Sequence, residues 1–184
     1  MKKIFFSLLF GLTFFAAAAL VYAEGFTLSS SDIAGQLSNK QVFSGFGCQG
    51  ENISPELNWE NAPQGTKSFA VTVYDPDAPT GSGWWHWIIF DIPAEVHSLQ
   101  RNAGNIKTGL APAGSIQSIT SYGQYGFGGA CPPKGDPPHR YIFTVYALKI
   151  DKLGLKADST PELIGFYLGQ NMLAKASIIA YYAR

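Results

Sequence analysis

Four stretches of the chain are almost continuously apolar and rich in β-branched and aromatic residues. They run from 69 to 74, 85 to 92, 141 to 148 and 177 to 182, and Gly, Pro, Asn or Asp residues bound them. β-branched and aromatic residues favour extended backbone, and Gly, Pro, Asn and Asp favour turns. Because the apolar runs have little polar alternation, we predict strands that are covered on both faces.

A different periodicity occurs near the end of the sequence. Thr160 can cap a helix and Pro161 suits its first position, and apolar residues then recur along one stripe. The whole pattern predicts a mainly β protein with a helix in its C-terminal region and long loops at 43–66, 75–84 and 101–138, which is where function usually lies. We interpret the helical stripe as core; it consists of Leu163, Ile164, Tyr167, Leu168, Met172 and Leu173.

Residues 1–23 have the features of a secretory signal peptide. Lys2 and Lys3 precede a long apolar run, and Val21-Tyr22-Ala23 supplies a cleavage site. We therefore expect a periplasmic or secreted protein with a single domain, residues 24–184. The apolar run is short for a membrane span and the sequence has no second one, so we expect no span after cleavage. An uncleaved membrane anchor is the alternative.

Charge and composition exclude some partners. Without Lys2 and Lys3, 11 basic residues face 13 acidic ones, a net charge of about −2, and no basic run stands out. This argues against a nucleic-acid surface. The string from Gly45 to Gly50 matches the dinucleotide fingerprint, but Pro55 follows it and no helical periodicity opens there. We expect no cofactor.

Two cysteines, Cys48 and Cys131, lie in Gly-rich loop sequence. Export through an oxidising compartment favours a disulfide between them. The alternative is a pair of free thiols.

Candidate chemistry begins directly after the first predicted strand. Asp75 and Asp77 follow it in a turn that prolines at 76 and 79 make rigid. Trp84-Trp85-His86-Trp87 opens the next strand, where alternation places Trp84 and His86 on one face. If the two strands form a hairpin, His86 returns beside the aspartates.

A second group of polar residues comes later in the chain. The loop from Gly128 to Gly135 can aim backbone N–H groups inward, and His139-Arg140-Tyr141 follows it at the start of a strand. Alternation places His139 and Tyr141 on one face and Arg140 on the other. His97 stands alone after a strand, and we predict a surface residue.

Together these motifs resemble the phosphatidylethanolamine-binding family, and within it the bacterial YbhB/YbcL-type branch. The sequence has D-P-D-A-P at 75–79, His at 86 at the head of a strand, P-P-K-G at 132–135 and H-R-Y at 139–141, in that order. The resemblance covers essentially all of residues 24–184. It implies a central antiparallel β-sheet sandwich with one pocket for a small anion. The ligand-binding positions that it implies are Asp75, His86, His139, Tyr141 and the backbone of Gly129, Ala130 and Cys131, with Asp77 and Trp84 in the lining.

Several functions are compatible with this constellation. We expect an exported binding protein, not an enzyme, that recognises a small phosphorylated or other anionic ligand and modulates a partner protein. The alternative is a phosphoester hydrolase whose aspartates and histidines hold a metal or act as acid and base. In a third view, the histidines are core residues whose hydrogen bonds are all made within the protein, and the aspartates only form turns. Relatives of this branch are often dimers, so a homodimer is a further expectation.

The carboxylates raise an electrostatic question, because a negative charge beside a bound anion costs energy unless protons compensate. We hypothesise that Asp75 accepts a hydrogen bond from His86 or His139 and raises the imidazole pKa above its ordinary value. The imidazolium and the Tyr141 hydroxyl would then bind the anion. Phosphate affinity would rise as the pH falls from about 8 to 6.

Overall fold

A computed structural model describes residues 25–184 of the chain. The predicted signal peptide, residues 1–23, lies outside the described residues. The elements of the described part are a 3₁₀ turn at Asn39–Gln41, one helix and ten strands. The strands are β1 (Thr27–Ser29), β2 (Ser44–Gly45), β3 (Cys48–Gln49), β4 (Leu57–Glu60), β5 (Ser68–Asp75), β6 (Trp84–Pro93), β7 (Ser98–Leu99), β8 (Ile116–Gln117), β9 (His139–Leu148) and β10 (Met172–Tyr182), and the helix is α1 (Pro161–Asn171).

The largest sheet contains the four predicted strands. Its order is β10-β9-β5-β6-β8, and every neighbouring pair is antiparallel. β5 and β6 form the predicted hairpin, in which Asp75 pairs with Trp84. A smaller antiparallel sheet of β1, β4 and β7 packs against one face. The predicted mainly β class with an antiparallel sandwich is confirmed.

The main core lies between the two sheets. Trp59 and Leu99 from the small sheet meet Phe69, Trp87 and Phe143 from the large one, and all five are almost fully buried. Burying a side chain of this size stabilises the fold by about 1.5–3 kcal/mol. The central strands are therefore held rigidly, which fixes the positions of the polar residues at their ends.

The helix covers the opposite face of the large sheet. Thr160 caps α1 and Pro161 occupies its first turn, as predicted. Ile164 and Leu168 belong to one buried cluster with Ile88 and Phe90 of β6 and Leu148 of β9. Within residues 25–184, no helix is long and apolar enough to cross a membrane.

Two details of the apolar pattern were predicted wrongly. Leu163 and Tyr167 of the expected helical stripe are exposed, and Met172 and Leu173 belong to β10 and are also exposed. The buried residues of the helix are only Pro161, Ile164 and Leu168, a narrow line, and the chain leaves the helix for β10 at Met172. β10 itself is an edge strand with one exposed face, which includes Ile179, instead of a strand covered on both sides.

Candidate functional site

A cavity of about 190 Å³ opens where β5, β6 and β9 present one end of the large sheet. Four loops complete its wall, and they contain Phe46, the segment Ala78–Thr80, Tyr122 and the segment Cys131–Pro133. Of the residues predicted for the site, five strand-end side chains and one loop residue line this cavity: Asp75, Trp84, His86, His139, Tyr141 and Cys131.

Asp75 ends β5, and its carboxylate is almost fully buried. One oxygen, Oδ1, accepts hydrogen bonds from the backbone N–H groups of Asp77 (2.8 Å) and Ala78 (3.1 Å). The other, Oδ2, lies 2.8 Å from Nδ1 of His139. The rigid turn after the strand and the first residue of β9 therefore both hold this carboxylate in place.

His139 has carboxylates near both of its ring nitrogens. Nδ1 contacts Asp75, and Nε2 lies 3.4 Å from Oδ2 of Asp136. The ring is buried. The pairing of Asp75 with a histidine agrees with the hypothesis from the sequence, and the structure selects His139 as the partner.

His86 has a different environment. Its Nδ1 lies 2.8 Å from the carbonyl oxygen of Gly128 and 3.1 Å from that of Gly129. A carbonyl only accepts, so Nδ1 must be the protonated nitrogen. Burial lowers the pKa of His86 to about 4, although the two carbonyls and Asp75 oppose this shift. The hypothesis of a raised imidazole pKa is therefore wrong for His86, because desolvation outweighs the neighbouring carboxylate.

Three buried polar atoms of the cavity residues have no hydrogen-bond partner within residues 25–184. They are Nε1 of Trp84, Nε2 of His86 and the hydroxyl oxygen of Tyr141, and we call them the open atoms. Trp84 lies edge-on to Tyr122, and its N–H is near enough to the Tyr122 hydroxyl to oppose in part the rise that burial causes in the Tyr122 pKa, although it does not form a hydrogen bond of normal geometry. The Tyr141 ring packs edge-on to His86 at 5.1 Å, and burial raises its pKa as well. The hydroxyl of Tyr141 is therefore a neutral donor.

Asp77 does not line the cavity. Its carboxylate accepts from Nε (2.9 Å), Nη2 (2.6 Å) and the backbone N–H (2.8 Å) of Arg140. Arg140 points away from the cavity, as strand alternation predicted, and it holds Asp77 on the outside. These hydrogen bonds lower the pKa of Asp77 to about 2.

The glycine loop also differs from expectation. The backbone N–H of Gly129 donates to Oδ1 of Asn52 at 2.7 Å, and that of Ala130 donates to the carbonyl of Gln41 at 3.0 Å. Neither residue lines the cavity. The loop turns its carbonyl groups towards His86, and its N–H groups at these two positions bond to the chain segment on its other side.

The predicted disulfide between Cys48 and Cys131 is confirmed. Cys131 contributes to the cavity wall, and Phe46 lies just before the other half of the bridge. Arg184 ties the same two loops together, because its guanidinium donates to the carbonyls of Pro132 and Gly47.

Sequence reasoning missed Tyr122. This residue stacks on Phe43 at 4.2 Å, packs edge-on to His86 and donates its hydroxyl proton to the carbonyl of Gly129 at 2.8 Å. It lies in a loop of Gly, Ser and Tyr residues without strand or helix periodicity, so the sequence carries no signal for its direction. His97 is exposed, as predicted.

The carboxylates do not form a metal centre. Within residues 25–184, no group of three or more His, Cys, Asp or Glu side chains is placed to hold a metal ion. Asp77 is bound to Arg140, and Asp75 is bound to His139 and to backbone N–H groups. The two carboxylates that could bind a hydrolytic metal, Asp75 and Asp77, therefore lie on different sides of the sheet at the end of β5.

Comparison with known proteins matches residues 33–183 to the family profile described as phosphatidylethanolamine-binding protein. The chain is 51% identical over 162 residues to the UPF0098 protein YbcL of Escherichia coli. This alignment covers 87% of this chain and 88% of the relative. It is 46% identical over 148 residues to YbhB of the same organism, with 80% and 92% covered.

Solved structures agree with these sequence matches. The crystal structure of E. coli YbcL superimposes with a TM-score of 0.85 at 51% identity and covers 86% of this chain and 98% of its own. A phosphatidylethanolamine-binding protein homologue from Chlamydia trachomatis gives 0.71 at 27% identity, with 86% and 97% covered. The resemblance seen in the sequence motifs is confirmed: the chain belongs to the phosphatidylethanolamine-binding protein family.

Proposed function

We propose that this protein is an exported binding protein that holds a small anionic group, phosphate or a phosphoryl head group, in the cavity at the end of β5, β6 and β9. One observation carries the proposal: the three open atoms converge on one small cavity. A buried polar atom without a partner costs about 1–3 kcal/mol. A group that supplies the missing hydrogen bonds would recover this energy.

The chemistry of the open atoms favours an oxyanion. The Trp84 N–H and the Tyr141 hydroxyl are donors, and oxygen atoms of a phosphoryl or carboxyl group accept from such donors. Phe46, Pro79 and Pro133 give the rest of the lining an apolar character. A pocket of this kind suits a small polar group that enters through an apolar mouth and is fixed by a few directed bonds.

The same contacts argue against the other two interpretations. A satisfied structural histidine would have partners for both nitrogens; His139 fits this description and His86 does not. A hydrolase with Asp75 and Asp77 as paired catalytic carboxylates would need both in the cavity, and Asp77 lies outside it. We therefore favour binding over catalysis.

Location and partners are further parts of the proposal. The Cys48–Cys131 disulfide supports the proposal that the protein folds in an oxidising compartment, and the signal features of residues 1–23 agree with it. The periplasm or the extracellular space would then supply the ligand and any protein partner that the bound state modulates. Native mass spectrometry of the purified protein tests whether a second copy of the chain is one of these partners.

Calorimetric titration of the purified protein with inorganic phosphate, phosphoethanolamine and acetate at pH 6 tests the pocket. Wild type should bind at least one of them saturably. Tyr141→Phe should lose roughly 10-fold or more in affinity, since a hydrogen bond to a charged group contributes about 1.5–3 kcal/mol. Its urea stability should stay equal or rise, because the variant removes a buried hydroxyl that has no partner within residues 25–184.

Tyr125→Phe is the matched control, because Tyr125 is exposed and lies outside the cavity lining. It should bind like wild type. Equal binding by the two tyrosine variants, or no saturable binding by wild type, would reject the proposed pocket.

A further inference from the structure

The position of the proton on His86 is fixed by the backbone. Nδ1 must donate, because both groups near it are carbonyls. The Gly129 carbonyl cannot easily move away, since it also accepts from the Tyr122 hydroxyl and the same residue's N–H is held by Asn52. Nε2, the nitrogen without a partner in the described part of the chain, is therefore a hydrogen-bond acceptor whenever the ring is neutral.

The groups around His86 keep it neutral near pH 7. Asp75 faces it from β5, His139 and Tyr141 from β9, and Tyr122 from the loop before the glycines. Asp75 favours the imidazolium and His139 opposes it, but burial is the largest influence and holds the pKa near 4. Nε2 therefore requires a donor from whatever occupies the cavity.

The charge of the cavity gives a second, independent restriction. Among its lining residues in the described part of the chain there is no Lys or Arg, and the Asp75 carboxylate is paired with His139. The nearby guanidinium of Arg140 is bound to Asp77 outside. A doubly charged anion would thus be buried beside a histidine that Asp75 already engages and beside no other basic group of the described lining that is free for it, and burying uncompensated charge is costly.

We propose that the cavity selects oxyanions that bring their own acidic proton, such as the monoanion of a phosphate monoester or of inorganic phosphate; this rests on the proposed anion pocket. The ligand's hydroxyl donates to Nε2 of His86, and its remaining oxygens accept from Tyr141 and Trp84. The complex holds one proton between Nε2 and the ligand oxygen, and the ligand supplies it.

The proposal separates ligands of nearly equal size. A phosphate monoester has a second pKa of about 6, so its monoanion is abundant at pH 6. Sulfate has the same tetrahedral shape but carries no proton near neutral pH. Dimethyl phosphate has a single charge but no hydroxyl. Both should bind poorly, although each can accept hydrogen bonds from Tyr141 and Trp84.

The test is calorimetry of the purified protein from pH 5 to 8 with phosphoethanolamine, inorganic phosphate, sulfate and dimethyl phosphate. The affinity for each phosphate ligand should be level below the ligand's own second pKa and fall about 10-fold per pH unit above it. The pH at which the affinity begins to fall should differ between the two phosphate ligands by as much as their second pKa values differ. At pH 6, sulfate and dimethyl phosphate should bind at least about 10-fold more weakly.

Two variants sharpen the result. Tyr141→Phe should weaken all ligands while leaving the ratio of phosphate to sulfate affinity unchanged. His86→Gln places an amide in the ring's position that can donate as well as accept, so the phosphate-to-sulfate ratio should collapse towards one. If His86→Gln does not fold, the ligand series on wild type and Tyr141→Phe still decides the matter.

Failure of this inference differs from failure of the pocket. If sulfate binds as tightly as phosphate, the ligand's proton is not needed. If the affinity for every phosphate ligand falls at the same pH, the titrating proton is on the protein. Either result overturns this inference and leaves the proposed anion pocket in place. If no ligand binds at any pH, both are overturned.

Discussion

The two sides of the sheet at the end of β5, β6 and β9 differ in how fully their polar groups are hydrogen-bonded. On the outer side, both carboxylate oxygens of Asp77 accept hydrogen bonds from the Arg140 guanidinium. On the inner side, His86 and Tyr141 each leave one buried atom without a partner in the described chain. The contrast accords with the proposal that the outer pair fixes the geometry of the turn and that the inner groups bind a ligand.

Asp75 has hydrogen bonds on both sides. Its Oδ1 holds the turn that leads to Asp77, and its Oδ2 holds His139 beside the cavity. Identical residue types two positions apart thus have different roles, because one is buried at the strand end and the other reaches Arg140.

The largest expected effect comes from breaking the cavity wall. Replacement of both Cys48 and Cys131 by Ser removes a crosslink that spans 83 residues. Chain-entropy arithmetic predicts a loss of roughly 4–5 kcal/mol in the free energy of unfolding, which urea denaturation can measure. Phosphate affinity should also fall, since Cys131 lines the cavity. A loss below about 1 kcal/mol would mean that Arg184 and the packing hold these loops without the bridge.

A smaller effect is expected at the residue shared by both sides. Asp75→Asn keeps an oxygen for the turn but removes the charged partner of His139, so the unfolding free energy should fall by about 1.5–3 kcal/mol. Asp136→Asn is the control, because its contact with the same ring is longer, 3.4 Å, and its side chain is partly exposed. If the two variants lose equal stability, the buried pair has no special role.

The smallest effect is expected on the outer side. Asp77→Asn should cost at most about 1 kcal/mol, because the ion pair is partly exposed to solvent. The pKa of Asp77 is lowered from 3.8 to about 2, so its contribution is present above pH 4 and is lost as the pH falls towards 2. Urea denaturation at pH 6 and pH 2 should show the difference from wild type disappearing at the lower pH.

Ligand titration completes the comparison. Phosphate affinity of Asp77→Asn should stay within about twofold of wild type, in contrast to Tyr141→Phe. A large loss in Asp77→Asn would contradict the separation of the two sides.

Strand positions and the convergence of four site residues could be predicted from the sequence. Alternation along β9 directed His139 and Tyr141 to one side because the strand is regular there. His86 reaches the same side although it lies at an irregularity in the pairing of β5 with β6, where Val73 pairs with Trp87 and Tyr74 with Trp85. Asp75 followed from its place at a strand end. Local pattern was enough for β9 because a regular, buried strand leaves a side chain two directions only.

Other features depended on partners that are distant in the sequence. Asp77 turns outward because it bonds to Arg140, which is 63 residues away in the chain but adjacent in space. The Gly129 N–H is taken by Asn52, 77 residues earlier. Tyr122 comes from a loop without periodicity. In each case the direction of a group is decided by a tertiary contact, about which local sequence carries no information.

The carbonyl pair that faces His86 has a consequence for sequence variation and for engineering. Every amino acid has a carbonyl, so the ring could keep its proton with any residue at 128 or 129 if space allowed. Space does not allow it: a Cβ on Gly128 would overlap the ring of Tyr122, and one on Gly129 would overlap the carbonyl of Gln41. Glycine is required at both positions for room. An attempt to redesign ligand preference at His86 therefore has to reshape Tyr122 and the Gln41 segment together with the loop.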